Sequence, residues 1–261
     1  MIGFIGIGNM GGAILSGITD KGACRLSDVG LYDAFPAQYA RFEGAKTYES
    51  ARALAEKEEV IFFSVKPQVL PDVLETLRGM DTRGKLFITI CAAISTDFIR
   101  SYLPGAHVVR AMPNTPMLYG KGVCALSRGA EVTDAEFERA KELFSLISTV
   151  GVIPEKDQNA VIAVTGSSPA YLFALADAMA DNAEKSGFSR EESVKWIAGV
   201  FEGAAAMLRK SGKTPHELCE MVCSPGGTTL AAMKVFEDAA FSETVDQAMD
   251  ACTRRAGELA K

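Results

Sequence analysis

The first twelve residues decide the fold, and they read Met1-Ile2-Gly3-Phe4-Ile5-Gly6-Ile7-Gly8-Asn9-Met10-Gly11-Gly12. The stretch begins as an apolar strand, passes through the spacing Gly6-x-Gly8-x-x-Gly11 and continues as a helical pattern that includes Ala13 and Ile14. Glycines at this spacing, between a strand and a helix, let the backbone approach a pyrophosphate at the helix N-terminus. We therefore predict a dinucleotide-binding turn here rather than a merely structural Gly-rich turn.

The composition excludes several classes of partner. The chain has 261 residues, of which 48% are hydrophobic, and a formal net charge of -6. This acidic balance, without a run of Lys or Arg, predicts that neither nucleic acid nor an anionic membrane surface is a partner. An anionic substrate would therefore need a local site. The first strand starts at Met1 and no apolar run approaches the ~20 residues of a membrane span, so we expect a cytoplasmic protein.

Metal chemistry is not expected from this sequence. The chain has two histidines, His107 and His216, and no CxxC motif. The six cysteines are Cys24, Cys91, Cys124, Cys219, Cys223 and Cys252. Small buried thiols in a reducing cytosol explain this set better than a zinc site.

Apolar strands alternate with helical segments up to about residue 155. Continuous apolar runs such as Val60-Ile61-Phe62-Phe63-Ser64 are typical of a parallel sheet covered on both faces. The alternation predicts an α/β fold, with a doubly wound, Rossmann-type dinucleotide-binding domain over residues 1–155. The predicted strands are 29–32, 60–64, 86–90, 108–109, 122–126 and 150–153, and the predicted helices are 36–43, 49–57, 71–77 and 133–147.

After Pro154 the strand signal stops, and residues 156–261 are predicted to form an all-α dimerisation domain. Its predicted helices are 158–165, 169–185, 190–212 and 215–223, with two more before the C-terminus. This Ala-rich part offers more apolar surface than a domain of its size would cover alone. We therefore expect obligate association into a homodimer or a higher homo-oligomer.

The segment Ser224-Pro225-Gly226-Gly227-Thr228-Thr229 lies between two of these predicted helices. Glycines directly before a helix free its first N–H groups to approach a ligand, and the helix dipole favours an anion there. The hydroxyl of Thr229 would then lie one turn into an anion pocket. A helix–helix turn with an ordinary cap explains the segment equally well, so the motif alone leaves both interpretations open.

Three further motifs fall where strands of the predicted sheet end, which is where ligands gather in open α/β sheets. They are Ser64-Val65-Lys66-Pro67, Cys91-Ala92-Ala93 and Arg110-Ala111-Met112-Pro113-Asn114-Thr115-Pro116. Each alone could be a solvated strand-end lysine or a proline-set turn. Together with the two glycine motifs and with Thr165-Gly166-Ser167-Ser168-Pro169-Ala170-Tyr171, they make essentially the whole chain resemble the pyrroline-5-carboxylate reductase family.

The resemblance implies reduction of L-1-pyrroline-5-carboxylate to L-proline, the last step of proline synthesis, by hydride from NADH or NADPH. It implies a pyrophosphate site made by Gly6, Ile7, Gly8, Asn9, Met10 and Gly11. It also implies a nicotinamide site lined by Ser64, Val65, Lys66, Pro67, Cys91, Ala92, Ala93 and Asn114. The substrate would be held by Ser224, Gly226, Gly227, Thr228 and Thr229, with the Thr229 hydroxyl as catalytic partner or proton donor for the ring nitrogen. A complete site would need the two domains brought together across a dimer.

Two other functions stay open at this point. A β-hydroxyacid dehydrogenase or another imine reductase would share the first glycine motif, but it would place a catalytic lysine early in the first long helix of the second domain. Here Lys185 lies far along that helix. A non-enzymatic NAD(H)-sensing module would not require the Ser224–Thr229 segment.

The cofactor preference is predicted from Asp33. This residue follows the second strand and lies 22 residues beyond Gly11, near the ~20 expected of the carboxylate that accepts the ribose hydroxyls of NAD. A 2′-phosphate placed there would meet a like charge, and the following stretch offers no cation until Arg41. We therefore predict that NADH is preferred. The alternative is that Asp33 merely caps the following turn.

Overall fold

The computed structural model describes residues 1–259, and its first part is built around one eight-stranded sheet. The strands are β1 (Ile2–Ile5), β2 (Val29–Tyr32), β3 (Lys46–Thr47), β4 (Val60–Phe63), β5 (Leu86–Thr89), β6 (His107–Pro113), β7 (Gly122–Arg128) and β8 (Ser148–Val152). Their order across the sheet is β3-β2-β1-β4-β5-β6-β7-β8. The first six strands follow the Rossmann order, which opens a ligand crevice at the carboxyl ends of β1 and β4.

Helices cover both faces of this sheet, as the continuous apolar strands predict. They are α1 (Asn9–Asp20), α2 (Ala51–Lys57), α3 (Leu70–Leu77), α4 (Thr96–Tyr102) and α5 (Asp134–Ser145). Neighbouring residues of β4 enter two different apolar clusters, because side chains along a strand alternate between faces. Phe62 packs edge-on against Phe144 in one cluster, and Phe63 stacks on Phe87 in the other.

The predicted strands are all present, with shifted ends, but three details differ. Residues 36–43, predicted as a helix, form a 3-10 turn over Pro36–Phe42. Neither β3 nor α4 is predicted, because such short elements carry little periodic signal. The pairing of β6 with β7 is antiparallel, whereas an apolar run by itself favours a parallel sheet. The chain reverses between them through a 3-10 turn at Thr115–Tyr119.

Beyond β8 the structure is helical. The helices are α6 (Gln158–Val161), a π-helical turn at Ile162–Gly166, α7 (Ser168–Lys185), α8 (Arg190–Lys210), α9 (Pro215–Val222), α10 (Thr228–Asp238) and α11 (Phe241–Glu258). Side chains cap the N-termini of α8 and α9. The Ser189 side chain accepts the N–H of Glu192, and Thr214 forms a capping box with Glu217.

The chain packs as two compact units. One consists of Met1–Pro169 together with the residues from Ala251 onward, and the other is Ala170–Asp250. Both α7 and α11 therefore run from one unit into the other. The domain boundary predicted after residue 155 rests on the loss of strand signal and stays a prediction.

One part of the helical chain is more apolar than predicted. Residues Glu155–Lys185 are long and apolar enough to cross a membrane, by length and composition alone, and 11% of their most apolar window is buried. The expectation that no apolar run approaches such a length is therefore wrong. The sequence pattern divides this stretch into two shorter helices, whereas the structure joins them through the π-helical turn. Phe173 is 66% exposed and Val164 is 58% exposed, which is typical of a helical surface that a partner covers.

Candidate active site

The three glycines of the first turn differ in what a Cβ atom at each position would contact. Gly6 has φ +91°, and a Cβ there would lie 2.8 Å from the backbone of Ser64 and Val65. A Cβ on Gly11 would lie 2.7 Å from the Gly6 carbonyl oxygen. A Cβ on Gly8 would meet nothing in residues 1–259 within 4 Å. Gly6 and Gly11 therefore shape the turn, while Gly8 leaves open space of the kind that a dinucleotide pyrophosphate occupies.

The helix after this turn presents an N-terminus suited to an anion. The N-cap of α1 is Gly8, which has no side chain to accept the first N–H groups, and the first turn, which begins with Asn9 and Met10, contains no acidic residue. Unpartnered N–H groups and the helix dipole favour a negative charge at this position. The residues present thus fit a pyrophosphate, as the sequence predicts for this turn.

Ser64 and Cys91 hydrogen-bond to backbone carbonyl oxygens near the carboxyl ends of β1 and β4. The Ser64 hydroxyl donates to the Gly6 carbonyl oxygen at 2.6 Å, so it positions the glycine turn. The Cys91 thiol donates to the Val65 carbonyl oxygen at 3.2 Å. Burial raises the pKa of Cys91 to about 11, and the thiol therefore stays protonated and acts as a small packing group.

The remaining residues of the predicted nicotinamide site lie at the same edge of the sheet. Lys66 and Pro67 follow β4, and Ala92 and Ala93 follow β5; both strands run parallel to β1. Lys66 and Ala92 are exposed at this edge. Ala93 has φ +63°, a left-handed conformation that costs an alanine roughly 1–2 kcal/mol. Strained backbone of this kind clusters at ligand sites.

Asn114 has hydrogen bonds that do not favour the cofactor contact predicted for it. Its side chain is buried and joins three segments of the chain. The Oδ1 atom accepts the N–H of Val123 at 2.8 Å, and the Nδ2 atom donates to the Thr165 carbonyl oxygen at 2.9 Å. These bonds fasten the end of β6 to β7 and to the π-helical turn. Its contact with a cofactor stays a prediction.

Arg110 has a structural role that the sequence does not reveal. The structure places it inside β6 rather than at the strand end, where the pattern predicts it, because β6 extends to Pro113. Its Nη2 atom donates to Asn159 Oδ1 at 2.9 Å, and its Nη1 atom lies 3.6 Å from Glu155 Oε1. The Glu155 carboxylate also accepts the N–H and the hydroxyl of Thr96. This buried network anchors the start of the helical part to the sheet.

Asp33 caps the turn that follows β2 and also hydrogen-bonds to the backbone of the glycine turn. Its Oδ2 atom accepts the N–H of Ile7, inside the glycine turn, at 2.8 Å. Its Oδ1 atom accepts the N–H of Phe35 at 2.9 Å, which caps the following turn. Because a carboxylate offers about four lone-pair positions, Asp33 can still accept ribose hydroxyls. Its position beside Ile7 fits that role.

The Ser224–Thr229 segment forms a tight turn between α9 and α10. Gly226 has φ +68°, a left-handed conformation that favours glycine, whereas a Cβ on Gly227 would lie 2.5 Å from Ser224 Oγ and would displace that hydroxyl. The N–H of Gly227 donates to the Ser224 carbonyl oxygen at 2.9 Å. The first N–H groups of α10, those of Thr228 and Thr229, find no acceptor in the described part of the chain. These two donors, rather than the N–H of Gly227, are therefore available to an anion.

An open cavity of about 670 Å³ lies beside this turn. Its lining residues are Gly226, Gly227, Leu230, Ala231, Met233, Lys234 and Glu237. The Lys234 ammonium pairs with Glu237 at 3.3 Å and with Asp238 at 2.8 Å, so the charge of this lysine is balanced. The helix start thus supplies the unbalanced attraction for an anion. Within residues 1–259, no group of three or more His, Cys, Asp or Glu side chains could hold a metal ion.

Comparison with known proteins gives matches over the full length. Residues 155–259 match the family described as pyrroline-5-carboxylate reductase dimerisation, and residues 1–93 match the one described as NADP oxidoreductase, coenzyme F420-dependent. The pyrroline-5-carboxylate reductase of Escherichia coli (strain K12) is 35% identical, over 100% of this chain and 98% of its own length. The pyrroline carboxylate reductase of Plasmodium falciparum with NADP bound superimposes with a TM-score of 0.92 at 26% identity, covering 100% of this chain and 98% of that one. The Coxiella burnetii reductase gives 0.90 at 29% identity, with the same coverage.

The Rossmann crevice and its glycine turn define a nicotinamide-dependent oxidoreductase that uses NAD(P)H. Its helical part, residues 155–259, matches a dimerisation domain, and the protein is a homo-oligomer. The chain belongs to the pyrroline-5-carboxylate reductase family.

Proposed function

We propose that this chain reduces L-1-pyrroline-5-carboxylate to L-proline, the last step of proline biosynthesis, with hydride from NADH or NADPH. The observation that carries the proposal is the 35% identity to a reductase of this name over the whole chain. The geometry agrees, since the substrate is a small anion and α10 begins with donors that lack an acceptor in residues 1–259.

The substrate carboxylate binds at the start of α10. The N–H groups of Thr228 and Thr229 donate to it, and the exposed Ser224 hydroxyl supplies a third donor. Gly226 and Gly227 keep the turn tight enough for the carboxylate to approach. A carboxylate in this position gains from the helix dipole as well as from the hydrogen bonds.

Thr229 acts at the reacting end of the substrate. Its hydroxyl faces the ring nitrogen and supports the protonated imine as a hydrogen-bond partner. The bound dinucleotide supplies the hydride. The chain itself contributes proximity and orientation, which are the effects that a hydride transfer to a C=N bond needs most.

A single assay separates this function from the two alternatives. The protein is incubated with pyrroline-5-carboxylate and reduced cofactor, and the loss of nicotinamide absorbance is followed together with proline formation. Stoichiometric conversion supports the reductase, whereas cofactor binding without consumption would indicate an NAD(H)-sensing module. A β-hydroxyacid dehydrogenase is also disfavoured by the helix α7, where Lys185 is the last residue and the only lysine.

The oligomer is predicted to be obligate and to complete the active site across a dimer. The helical part exposes large apolar side chains that include Leu172, Phe173 and Trp196, and a second copy of the chain is the partner that would cover them. We expect sedimentation at micromolar concentration to show dimers or larger rings and no monomer. An active monomer in the same experiment would contradict this prediction.

NADH is predicted to be the better reductant. The Asp33 carboxylate lies beside the glycine turn, where it accepts ribose hydroxyls and repels a 2′-phosphate. Wild-type kcat/KM should therefore be higher with NADH, and Asp33→Ser should shift the preference toward NADPH. Wild-type kinetics that favour NADPH by about tenfold or more, which corresponds to ~1.4 kcal/mol, would overturn this reading.

We further propose that the enzyme works in the cytoplasm and binds neither nucleic acid nor a membrane. The formal net charge of -6 disfavours both anionic surfaces. The apolar stretch Glu155–Lys185 lies within the region matched to reductase dimerisation, so a second subunit accounts for its exposure. Cell fractionation at low salt checks this expectation, and we expect the protein in the soluble fraction.

A further inference from the structure

Arg41 lies against the helix that follows the glycine turn. A Cβ on Gly12 would lie 2.8 Å from Arg41 Nη2 and 3.3 Å from Arg41 Cζ. The guanidinium therefore packs against the backbone of Gly12, where a side chain would otherwise project. Gly12 is not part of the Gly6-x-Gly8-x-x-Gly11 spacing, and no requirement of that motif explains it. A side chain at this position would displace the Arg41 guanidinium.

The loop after β2 folds so as to bring Arg41 to this position. The Tyr39 hydroxyl accepts the N–H of Asp33 at 2.9 Å and donates to the Asp33 carbonyl oxygen at 3.0 Å. These bonds hold the 3-10 turn Pro36–Phe42 against the end of β2. Arg41 therefore lies near the cofactor edge even though it is eight residues beyond Asp33 in sequence.

The Arg41 guanidinium is available for an anion. It is exposed, and it forms no ion pair or hydrogen bond within residues 1–259. Its Cζ atom lies over the neighbouring Phe42 ring, 5.4 Å from the ring centroid. The guanidinium presents several donors in a planar fork that matches phosphate oxygens.

We propose that Arg41, held on Gly12, is the binding group for the 2′-phosphomonoester of NADPH. Asp33 favours the free ribose hydroxyls of NADH, and Arg41 offsets its repulsion of a 2′-phosphate. The two residues together set how far NADH is preferred and allow both cofactors to be used. Phosphate binding can be measured without turnover. The inference therefore rests on the proposed reductase function only where it concerns which cofactor the enzyme uses.

The test uses adenosine 2′,5′-bisphosphate and 5′-AMP as probes in isothermal titration calorimetry at low ionic strength. We expect Arg41→Ala to bind the bisphosphate about tenfold more weakly, which is the loss of one charge-assisted pair, with 5′-AMP affinity unchanged. The matched control is Arg83→Ala, which removes the same charge from an exposed residue before β5. That end of the sheet is opposite the cofactor edge, so the control should bind like the wild type.

Gly12→Ala is a second test variant, and we expect it to weaken phosphate binding without destabilising the fold. The new methyl displaces the flexible end of Arg41, while alanine in a helix interior is favoured over glycine by about 1 kcal/mol. We expect an equal or higher melting temperature together with weaker bisphosphate binding. Equal bisphosphate affinity in wild type and Arg41→Ala would overturn the proposal. Failure of the reductase function would appear separately, as absence of proline formation by the wild type.

Discussion

Turnover of pyrroline-5-carboxylate is expected to fall by about ten- to a thousandfold in Thr229→Ala, because one oriented hydrogen bond to the reacting group is lost. Thr229 lies in the first turn of α10, next to N–H groups that find no acceptor in residues 1–259. Affinity for NADH should stay nearly unchanged, since the residue is assigned to the substrate. Steady-state kcat and KM, together with cofactor binding by fluorescence, measure both effects.

Two neighbouring variants act as controls for this result. Thr228→Ala should do less, since Thr228 is assigned a role through its backbone N–H, which the substitution keeps. Thr229→Ser retains a hydroxyl and should keep most of the activity. If Thr229→Ala instead shows the full wild-type kcat/KM, the hydroxyl is only a feature of the helix start and the catalytic assignment is wrong.

Gly8→Ala is expected to weaken binding of both NADH and NADPH by about ten- to a hundredfold. A Cβ on Gly8 meets no atom in residues 1–259 within 4 Å, so the methyl obstructs the ligand rather than the fold. Forcing a methyl into a close contact typically costs about 1–3 kcal/mol. Stability should change by less than about 1 kcal/mol, because the backbone of Gly8 suits alanine and only the helix cap is affected.

Gly11→Ala is the matched contrast to Gly8→Ala. Its Cβ would lie 2.7 Å from the Gly6 carbonyl oxygen, which is backbone that cannot move without opening the turn. We expect this variant to lower the melting temperature as well as the cofactor affinity. Thermal unfolding and cofactor titration of the two variants side by side test the assignment. A destabilised Gly8→Ala, or unimpaired cofactor binding by that variant, would show that the open space is not the pyrophosphate site.

The sequence by itself determined the architecture and the positions of the two glycine turns that we propose as ligand-binding sites. Strand–glycine–helix spacing at Gly6–Gly11 is local, and so are the capping box at Thr214 and the glycine pair before Thr228. Each depends on backbone conformations and hydrogen bonds within a few residues, which residue type and spacing largely dictate. The buried strands and all regular helices except α4 were equally predictable, because periodicity indicates which faces are buried.

Only the tertiary structure decided what several of these side chains do. Asn114 and Arg110 lie in a motif that predicts a ligand site, yet their partners are Thr165 and Asn159, about fifty residues away in sequence. In the same way, Arg41 becomes a candidate cofactor residue only because the chain folds it onto Gly12. Hydrogen bonds and charge contacts between distant segments have no period and no fixed spacing, so the partner of a polar side chain is set by how the elements pack. A polar residue in a motif therefore marks where chemistry can occur, and the packing decides whether it faces a ligand or the protein.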